Sequence, residues 1–210
     1  MSFFKAKESI SSPKQVGFFQ KVSFDQYYMD WVKLFGEELC TEEEVKSIWE
    51  AIELPTRSTK KSAGYDFVAP YGFELKKGGN VTIPTGVRVL MDDNCFLACF
   101  PRSGMGFKSR VALANTSGII DADYSDAENE GHIFIKLCYD GVEPSARMEK
   151  MESEDGKFKF KAIRPEKTKF KELVIEQGDK FVQGIFINYG ISEDDNANKE
   201  RKGGFGSTGK

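Results

Sequence analysis

From residue 62 onward the sequence consists of short apolar runs separated by Gly, Pro, Asn and Asp. Short runs that are rich in β-branched and aromatic residues and bounded by turn-forming residues are typical of β-strands, and helical periodicity is not apparent in this part. Many short strands favour an antiparallel sandwich or jelly roll over a parallel α/β sheet. The predicted strands cover residues 73–75, 81–83, 87–91, 96–100, 133–139 and 181–188. We therefore expect an all-β fold.

A helix is expected ahead of the β-rich part, after a short strand over residues 14–22. In residues 25–35 the apolar side chains recur at helical spacing, and Gly36 follows, as is common just past the end of a helix. The residues of this apolar face are Tyr28, Trp31, Val32 and Phe35. The spacing predicts an amphipathic helix.

A second helix is expected to begin at Thr41. Thr41 and Glu44 form a T-x-x-E capping box, and Pro55 ends the segment. The residues of its apolar stripe are Val45, Ile48, Trp49 and Ile52. We favour packing of this helical pair, residues 23–54, onto the β domain; a partner-binding surface is the alternative.

Two polar segments lie outside these elements. Residues 142–172 carry many charges of both signs, and the Asp155-Gly156 turn signal predicts a projecting hairpin. A solvated excursion is the favoured interpretation, and a docking surface for a protein partner is the alternative. Residues 192–210 are polar and Gly-rich, which predicts a flexible C-terminal arm. We expect a single domain over residues 1–210, with the helical pair and the charged insertion as additions.

The overall charge is close to neutral, with 30 Lys and Arg against 33 Asp and Glu and a formal net charge of −3. This balance excludes a protein that holds nucleic acid mainly by neutralising phosphates. The longest apolar runs fall well short of the roughly 20 residues that a membrane-spanning helix needs. Neither a transmembrane segment nor a signal peptide is predicted, so we expect a cytoplasmic protein without membrane or nucleic-acid partners.

The four cysteines and the single histidine restrict the possible chemistry. The cysteines form no CxxC pair, which indicates neither a disulfide framework nor a zinc site. The single histidine, His132, counts against Ser/His/Asp and Cys/His nucleophilic catalysis, because either arrangement would depend on that one ring. We expect His132 to be structural.

Five short segments hold residue types that suit phosphate chemistry. They are residues 63–67, 101–104, 118–124, 178–183 and 201–209. In the last of them, four glycines let backbone N–H groups approach oxygen atoms closely, while Arg201 supplies charge and Ser207 and Thr208 supply hydroxyls. Arg102 and Ser103 likewise suit the binding of oxyanions.

Carboxylates supply the remaining chemistry. A carboxylate such as Asp121 or Asp123 can orient and deprotonate a water when a divalent metal polarises the electrophile. Asp66 is a candidate for holding Mg²⁺ through waters, because Mg²⁺ keeps part of its hydration shell and prefers few carboxylates plus substrate phosphates.

Taken in order, these five segments resemble the five motifs of the trimeric dUTPase family. Residues 101–124 fit the family pattern without a gap, and the resemblance covers about residues 60–139 and 177–210. It implies Mg²⁺-dependent hydrolysis of dUTP to dUMP and pyrophosphate by water that attacks the α-phosphorus. It also implies a homotrimer of jelly-roll subunits in which several subunits build each active site.

The resemblance implies a role for each matching residue. Asp121 would activate the water, Tyr124 would pack under the deoxyribose and exclude a 2′-hydroxyl, and Asp66 would lie in the outer shell of Mg²⁺. Asn115, together with backbone groups near Ile119, Ile120 and the returning strand around Phe134, would read the uracil edge. The residues that would contact the phosphate chain are Arg102, Ser103, Gly104 and Gln183. The arm would close over the site with Phe205 stacked on uracil. The residues that would hold the γ-phosphate are Arg201, Gly206, Ser207 and Thr208.

The sequence departs from the family pattern in three places. Asp121 and Gln183 are 62 positions apart, which is longer than the family norm, and the charged stretch supplies the excess. The arginine that usually lies five residues before the arm's phenylalanine is replaced by Glu200, and the neighbouring arginine is Arg201. After Tyr124, residues 125–130 lengthen the turn before Gly131, and we expect a solvated loop there.

Two alternatives stay open. One is a relative of dCTP deaminase, which resembles dUTPases in fold. The other is a nucleotide-responsive regulatory or binding protein that uses residues 142–172 as its docking surface. The GGFGSTG arm and the pairing of Asp121 with Tyr124 favour the hydrolase.

Overall fold

The computed structural model describes residues 13–141, 147–151, 159–163, 172–199, 201 and 203. The strands are β1 (Gly17–Lys21), β2 (Thr56–Arg57), β3 (Tyr65–Val68), β4 (Phe73–Leu75), β5 (Asn80–Pro84), β6 (Val87–Met91), β7 (Cys95–Pro101), β8 (Val111–Leu113), β9 (Gly118–Asp121), β10 (Phe134–Tyr139), β11 (Arg147–Met151), β12 (Lys159–Ile163), β13 (Leu173–Ile175) and β14 (Lys180–Asn188). The helices are α1 (Phe24–Phe35), α2 (Glu42–Ala51) and α3 (Ser103–Ser109), with a 3₁₀ helix over Ala122–Asp126. The predicted all-β class is confirmed.

Two antiparallel sheets form the body of the domain. The larger sheet has the strand order β2-β3-β14-β7-β9, and the smaller has the order β5-β10-β8. Inward-facing side chains of both sheets join one apolar core, which includes Phe67, Leu97 and Val182 from the larger sheet and Ile83 and Leu137 from the smaller. Each sheet therefore buries one face against the other, as in a β-sandwich.

The register of the larger sheet fixes where its polar side chains lie. Gln183 on β14 pairs with Asp66 on β3 at one side and with Phe100 on β7 at the other. Asp121 on β9 pairs with Phe96, which precedes Phe100 by four residues on β7. Asp66 and Asp121 are therefore three strand spacings apart and offset by those four residues.

Both N-terminal helices begin at capped residues. The Ser23 hydroxyl accepts a hydrogen bond from the Gln26 amide, 3.1 Å away. Thr41 and Glu44 form the capping box that the sequence predicted. Helix α1 ends at Gly36, whose φ of 84° lies in the left-handed region that glycine adopts without strain. Over the described residues, none of the helices combines the length and hydropathy needed to cross a membrane.

The helical pair packs closely against the β domain. The indole nitrogen of Trp49 donates to the carbonyl oxygen of Val22 at 3.0 Å. Gly86 lies beneath the pair with a φ of 69°, and a Cβ there would collide with Ile52 and come within 3.3 Å of Tyr27. Only glycine lets the helices approach the turn between β5 and β6 this closely.

Residues 103–109 form the helix α3, although no helical periodicity is apparent in that part of the sequence. This helix is only seven residues long and includes Gly104 and Gly106, so it displays no periodic apolar stripe. Met105 packs against the core, and Arg110 ends the helix with a φ of 52°. A helix of this length is held by its surroundings rather than by its own pattern.

The expected loop over residues 125–130 is exposed at Asp126 and Glu128, but it is more ordered than the sequence indicates. The 3₁₀ helix extends to Asp126, and Ala127 is buried. The Glu130 carboxylate accepts hydrogen bonds from the Ser23 amide at 2.8 Å and from the Ser23 hydroxyl at 2.6 Å. This contact with the start of α1 orders the segment, and no local sequence pattern reveals it.

The charged insertion contains one antiparallel strand pair in its described residues. Strands β11 and β12 pair from Arg147 opposite Ile163 to Met151 opposite Lys159. The predicted Asp155-Gly156 turn lies outside the described residues.

Candidate active site

A mostly apolar cavity of about 360 Å³ opens between β9 and β10. Its walls include Leu113, Ile120 and Phe134, and Asn115 supplies an amide. Cys99 contributes a neutral thiol, because burial raises its pKa to about 12. A cavity with apolar walls and one amide suits a flat ring whose edge forms hydrogen bonds.

Three of the four residues predicted to read a base lie around this cavity. Asn115, Ile120 and Phe134 line it, whereas the Ile119 side chain is 52% exposed on the other face of β9. Successive residues of a strand point to opposite faces, so Ile119 can contact a ligand in the cavity only through its backbone.

Two carboxylates and one arginine meet where β9 ends. The Arg201 Nη2 atom lies 2.5 Å from Asp121 Oδ2, and Arg201 Nε lies 2.8 Å from Asp123 Oδ1. The Arg201 guanidinium also lies 5.6 Å from the centre of the Tyr124 ring. About half of each carboxylate side chain is exposed, so water reaches Asp121 and Asp123 and screens these ion pairs.

Tyr124 is buried beside this carboxylate pair with a defined hydroxyl position. Its hydroxyl donates to the carbonyl oxygen of His132 at 2.9 Å and accepts from the Asn129 amide at 3.0 Å. Burial raises the pKa of Tyr124 and outweighs the opposing effect of the Asn129 hydrogen bond. The hydroxyl therefore stays protonated at neutral pH and keeps the ring in one orientation.

A second charged cluster surrounds Asp66 on β3. Asp66 Oδ1 lies 3.0 Å from Arg102 Nε, and Oδ2 lies 3.2 Å from Lys180 Nζ and accepts from the Ser58 hydroxyl at 2.6 Å. Burial favours the neutral acid, but the hydrogen bonds from Ser58 and Lys180 and the charge of Arg102 outweigh it and lower the pKa of Asp66. Asp66 is therefore ionised at neutral pH.

Sequence reasoning assigned no role to two members of this cluster. Lys180 belongs to one of the five segments, and its position opposite Val68 on β3 is visible only in the strand register. Ser58 lies at a turn beyond β2, and its sequence carries no signal that it reaches Asp66.

The residues predicted to contact phosphates lie near the Asp66 cluster. Arg102 belongs to the cluster, and Gln183 pairs with Asp66 across β3 and β14. Ser103 and Gly104 are exposed at the start of α3, and a Cβ at Gly104 would meet nothing within 4 Å. The start of α3 is therefore accessible at Ser103 and Gly104.

The two parts of the predicted site are far apart within one chain. At about 3.3 Å per residue and about 4.8 Å per strand, the offset between Asp66 and Asp121 amounts to roughly 13 Å along β7 and roughly 14 Å across the sheet. The separation is therefore about 20 Å. The arm residues Phe205, Gly206, Ser207 and Thr208 lie outside the described residues.

An apolar cavity with an amide at one place and an arginine–lysine cluster at another suit a ligand that has a flat ring and an anionic tail. Nucleotides have this construction, and the exposed Asp121 ends the strand that forms one wall of the cavity, with its side chain on the same face of β9 as Ile119. The fold and the polar groups thus define a nucleotide-binding β protein with a carboxylate available for hydrolysis.

Comparison with known proteins identifies the family. Residues 50–136 match the family model described as dUTPase. The chain is 35% identical over 161 residues to the deoxyuridine 5'-triphosphate nucleotidohydrolase of Lactococcus lactis, which covers 75% of this chain and 89% of the relative. It is 32% identical over 165 residues to the enzyme of that name from Haemophilus influenzae, covering 75% and 87%. The structure resembles the crystal structure of dUTPase from Streptococcus mutans with a TM-score of 0.52 and 25% identity, covering 84% of this chain and 98% of that one. The chain belongs to the dUTPase family.

Proposed function

We propose that this protein hydrolyses dUTP to dUMP and pyrophosphate by attack of water on the α-phosphorus. The observation that carries the proposal is the position of Asp121 at the end of β9, next to Tyr124 and on the strand that forms one wall of the base-sized cavity. The Asp121 side chain shares the outer face of β9 with Ile119, so a nucleotide with its base in this cavity reaches the carboxylate where β9 ends. Its sugar and α-phosphate then lie near a carboxylate that water reaches.

Asp121 is the group that orients and deprotonates the attacking water. In the structure it pairs with Arg201, which the family resemblance assigns to the γ-phosphate. The pairing with Asp121 and the pairing with the γ-phosphate use the same guanidinium group. The phosphate chain of a bound nucleotide therefore competes with Asp121 and Asp123 for Arg201. Release of Asp121 from Arg201 would leave the carboxylate free to accept a proton from the attacking water when substrate is present.

Tyr124 supports the deoxyribose and excludes a 2′-hydroxyl. Its ring is held by the hydrogen bonds to His132 and Asn129, so it cannot move aside without leaving buried polar atoms unpaired. Asn115, Phe134 and the backbone at Ile119 and Ile120 read the uracil.

The phosphate chain is bound by Arg102, Ser103, Gly104 and Gln183. Because Arg102 pairs with Asp66, which lies about 20 Å from Asp121, one chain does not bring both groups to a single nucleotide. We therefore propose a homotrimer in which each site takes its base pocket and Asp121 from one subunit and its phosphate ligands from a neighbour. The arm residues Arg201, Phe205, Gly206, Ser207 and Thr208 complete the site.

Mg²⁺ fits this site through waters and substrate phosphates. Both oxygens of Asp66 already contact cations or a hydroxyl, which suits contact with a hydrated ion and does not suit direct coordination. When bound to the phosphates, Mg²⁺ would neutralise charge that develops on the α-phosphoryl group. Arg102 and Lys180 keep Asp66 ionised for this purpose.

The proposal is tested with purified protein, Mg²⁺ and four nucleotides. We expect release of pyrophosphate from dUTP and hardly any from dTTP, dCTP or UTP. Equal turnover of the four nucleotides would refute the proposed specificity, and ammonia release from dCTP would indicate the deaminase instead.

A further inference from the structure

Helix α1 inserts a carboxylate into the β domain behind the base cavity. Asp30 is 7% exposed, and its Oδ2 atom lies 2.7 Å from His132 Nδ1. The same oxygen accepts a hydrogen bond of 2.9 Å from Gln26, one turn earlier on α1. Asp30 lies outside the residues 50–136 that match the dUTPase family model.

The hydrogen bonds around His132 define which of its nitrogens carries the proton. The Gly86 amide donates to His132 Nε2 at 2.8 Å, so Nε2 must offer a lone pair. The proton therefore lies on Nδ1, which donates to Asp30. His132 is fully buried, and both ring nitrogens are used to fix its orientation.

His132 in turn contacts two residues of the proposed nucleotide site. Its carbonyl oxygen accepts the hydrogen bond from the Tyr124 hydroxyl. Its ring lies 4.5 Å, centre to centre, from the ring of Phe134, which lines the base cavity. Asp30 is thus linked through His132 to Tyr124 and to Phe134.

We propose that Asp30 is a positioning residue for nucleotide recognition, acting through His132 on Tyr124 and Phe134. The inference rests on the proposed function for the identity of the nucleotide. In this arrangement α1 contributes to nucleotide specificity, because it holds His132 in one tautomer and one orientation. Loss of the Asp30 acceptor leaves a buried N–H unpaired, so the ring moves away from Phe134, and the backbone of His132, whose carbonyl oxygen accepts from Tyr124, shifts with it.

The test compares Asp30→Leu with Asp30→Asn. Leucine has a similar size but no acceptor, whereas the asparagine oxygen can occupy the Oδ2 position and accept from both His132 and Gln26. We expect Asp30→Leu to raise the KM for dUTP about tenfold and to lower the preference for dUTP over UTP about tenfold, with kcat changed less than about threefold. Asp30→Asn should remain within about twofold of the unsubstituted protein on both measures.

Val45→Ala is the matched control for a general loss of stability. Val45 is fully buried on α2, so its truncation weakens the packing of the same helical pair without touching the Asp30–His132 bond. The control should keep the KM and the dUTP preference of the unsubstituted protein. Equal losses in Asp30→Leu and Val45→Ala would overturn the inference, as would an unchanged preference in Asp30→Leu.

If Asp30→Leu does not fold, the proposal is tested with a second variant, Gln26→Met. Gln26→Met removes one of the two hydrogen bonds to Asp30 Oδ2 and leaves the Asp30–His132 bond. We expect a smaller change in the same direction, about threefold in the dUTP preference. An unchanged preference in a folded Gln26→Met protein would contradict the proposal. If the unsubstituted protein does not hydrolyse dUTP, the proposed function fails instead, so the two failures are distinguishable.

Discussion

The separation of the two halves of the site predicts that two inactive variants restore activity in mixed oligomers. One variant is Asp121→Asn, which removes the carboxylate near the base cavity. The other is Arg102→Ala, which removes a phosphate ligand while Lys180 and Ser58 still satisfy Asp66. Each variant alone should be nearly inactive, since every one of its sites lacks a required group.

The size of the recovery follows from the geometry. Because Asp121 and Asp66 lie about 20 Å apart in one chain, a site that spans two subunits needs an intact Asp121 from one and an intact Arg102 from the other. In randomly mixed cyclic oligomers with equal amounts of the two variants, about one quarter of the sites meet both conditions, the product of two probabilities of one half. The mixture should therefore show about one quarter of the unsubstituted activity.

The assay is pyrophosphate release from dUTP after the two variants are co-expressed with different tags and purified as mixed oligomers. The control mixes unsubstituted protein with the Asp121→Asn/Arg102→Ala double variant in equal amounts. A site shared between subunits keeps about one quarter of the activity in this control, whereas a site within one chain keeps about one half. No recovery in the mixture of single variants, together with half activity in the control, would refute the reasoning.

Three further predictions follow from the site and the core. Asp121→Asn should bind dUTP at least as tightly as the unsubstituted protein, by calorimetry, because the variant no longer competes with the phosphates for Arg201. It should lose about two orders of magnitude or more in kcat, because the base that activates water is removed; unchanged turnover would remove Asp121 from that role. Gly86→Ala should lower the free energy of unfolding by about 2–4 kcal/mol, because the new Cβ collides with Ile52 and the φ of 69° is strained for alanine. The measurement is a denaturant titration, and a change below about 0.5 kcal/mol would contradict the close packing of the helical pair. The folded-state pKa of Asp66 is lowered, so the stability it contributes is present above the ordinary aspartate pKa of about 4 and is lost as the pH falls through the folded-state pKa. The difference in unfolding free energy between the unsubstituted protein and Asp66→Asn should therefore shrink below about pH 4, and a constant difference would show that the charge of Asp66 is not the cause.

Local sequence signals predicted β1, β4–β7, β10, β14 and the first two helices, because these elements depend on nearby residues. The strands β3 and β9, which carry Asp66 and Asp121, were not among the predicted strands. The run 87–91 is bounded by Gly86 and by Asp92, and it forms β6 with the predicted bounds. The Thr41–Glu44 capping box specifies where α2 begins. Helix α3 lacks such signals, since its two glycines and its short length conceal it.

Contacts between distant segments could not be predicted in this way. Residues 125–130 are ordered by the bond from Glu130 to Ser23, which lies 107 positions earlier. Asp66 and Arg102 were both recognised as candidate site residues, but their ion pair depends on the β3-β14-β7 register. His132 was correctly expected to be structural, whereas its bond to Asp30 on the helical pair is visible only in the folded protein.

The most direct test of the central claim is the rate of pyrophosphate release from dUTP compared with UTP, dTTP and dCTP in the presence of Mg²⁺. The base cavity, the fixed Tyr124 ring and the Asp121 carboxylate predict a kcat/KM for dUTP that exceeds the other values on the order of a hundredfold or more. Comparable values for the four nucleotides, or release of orthophosphate in place of pyrophosphate, would contradict the account.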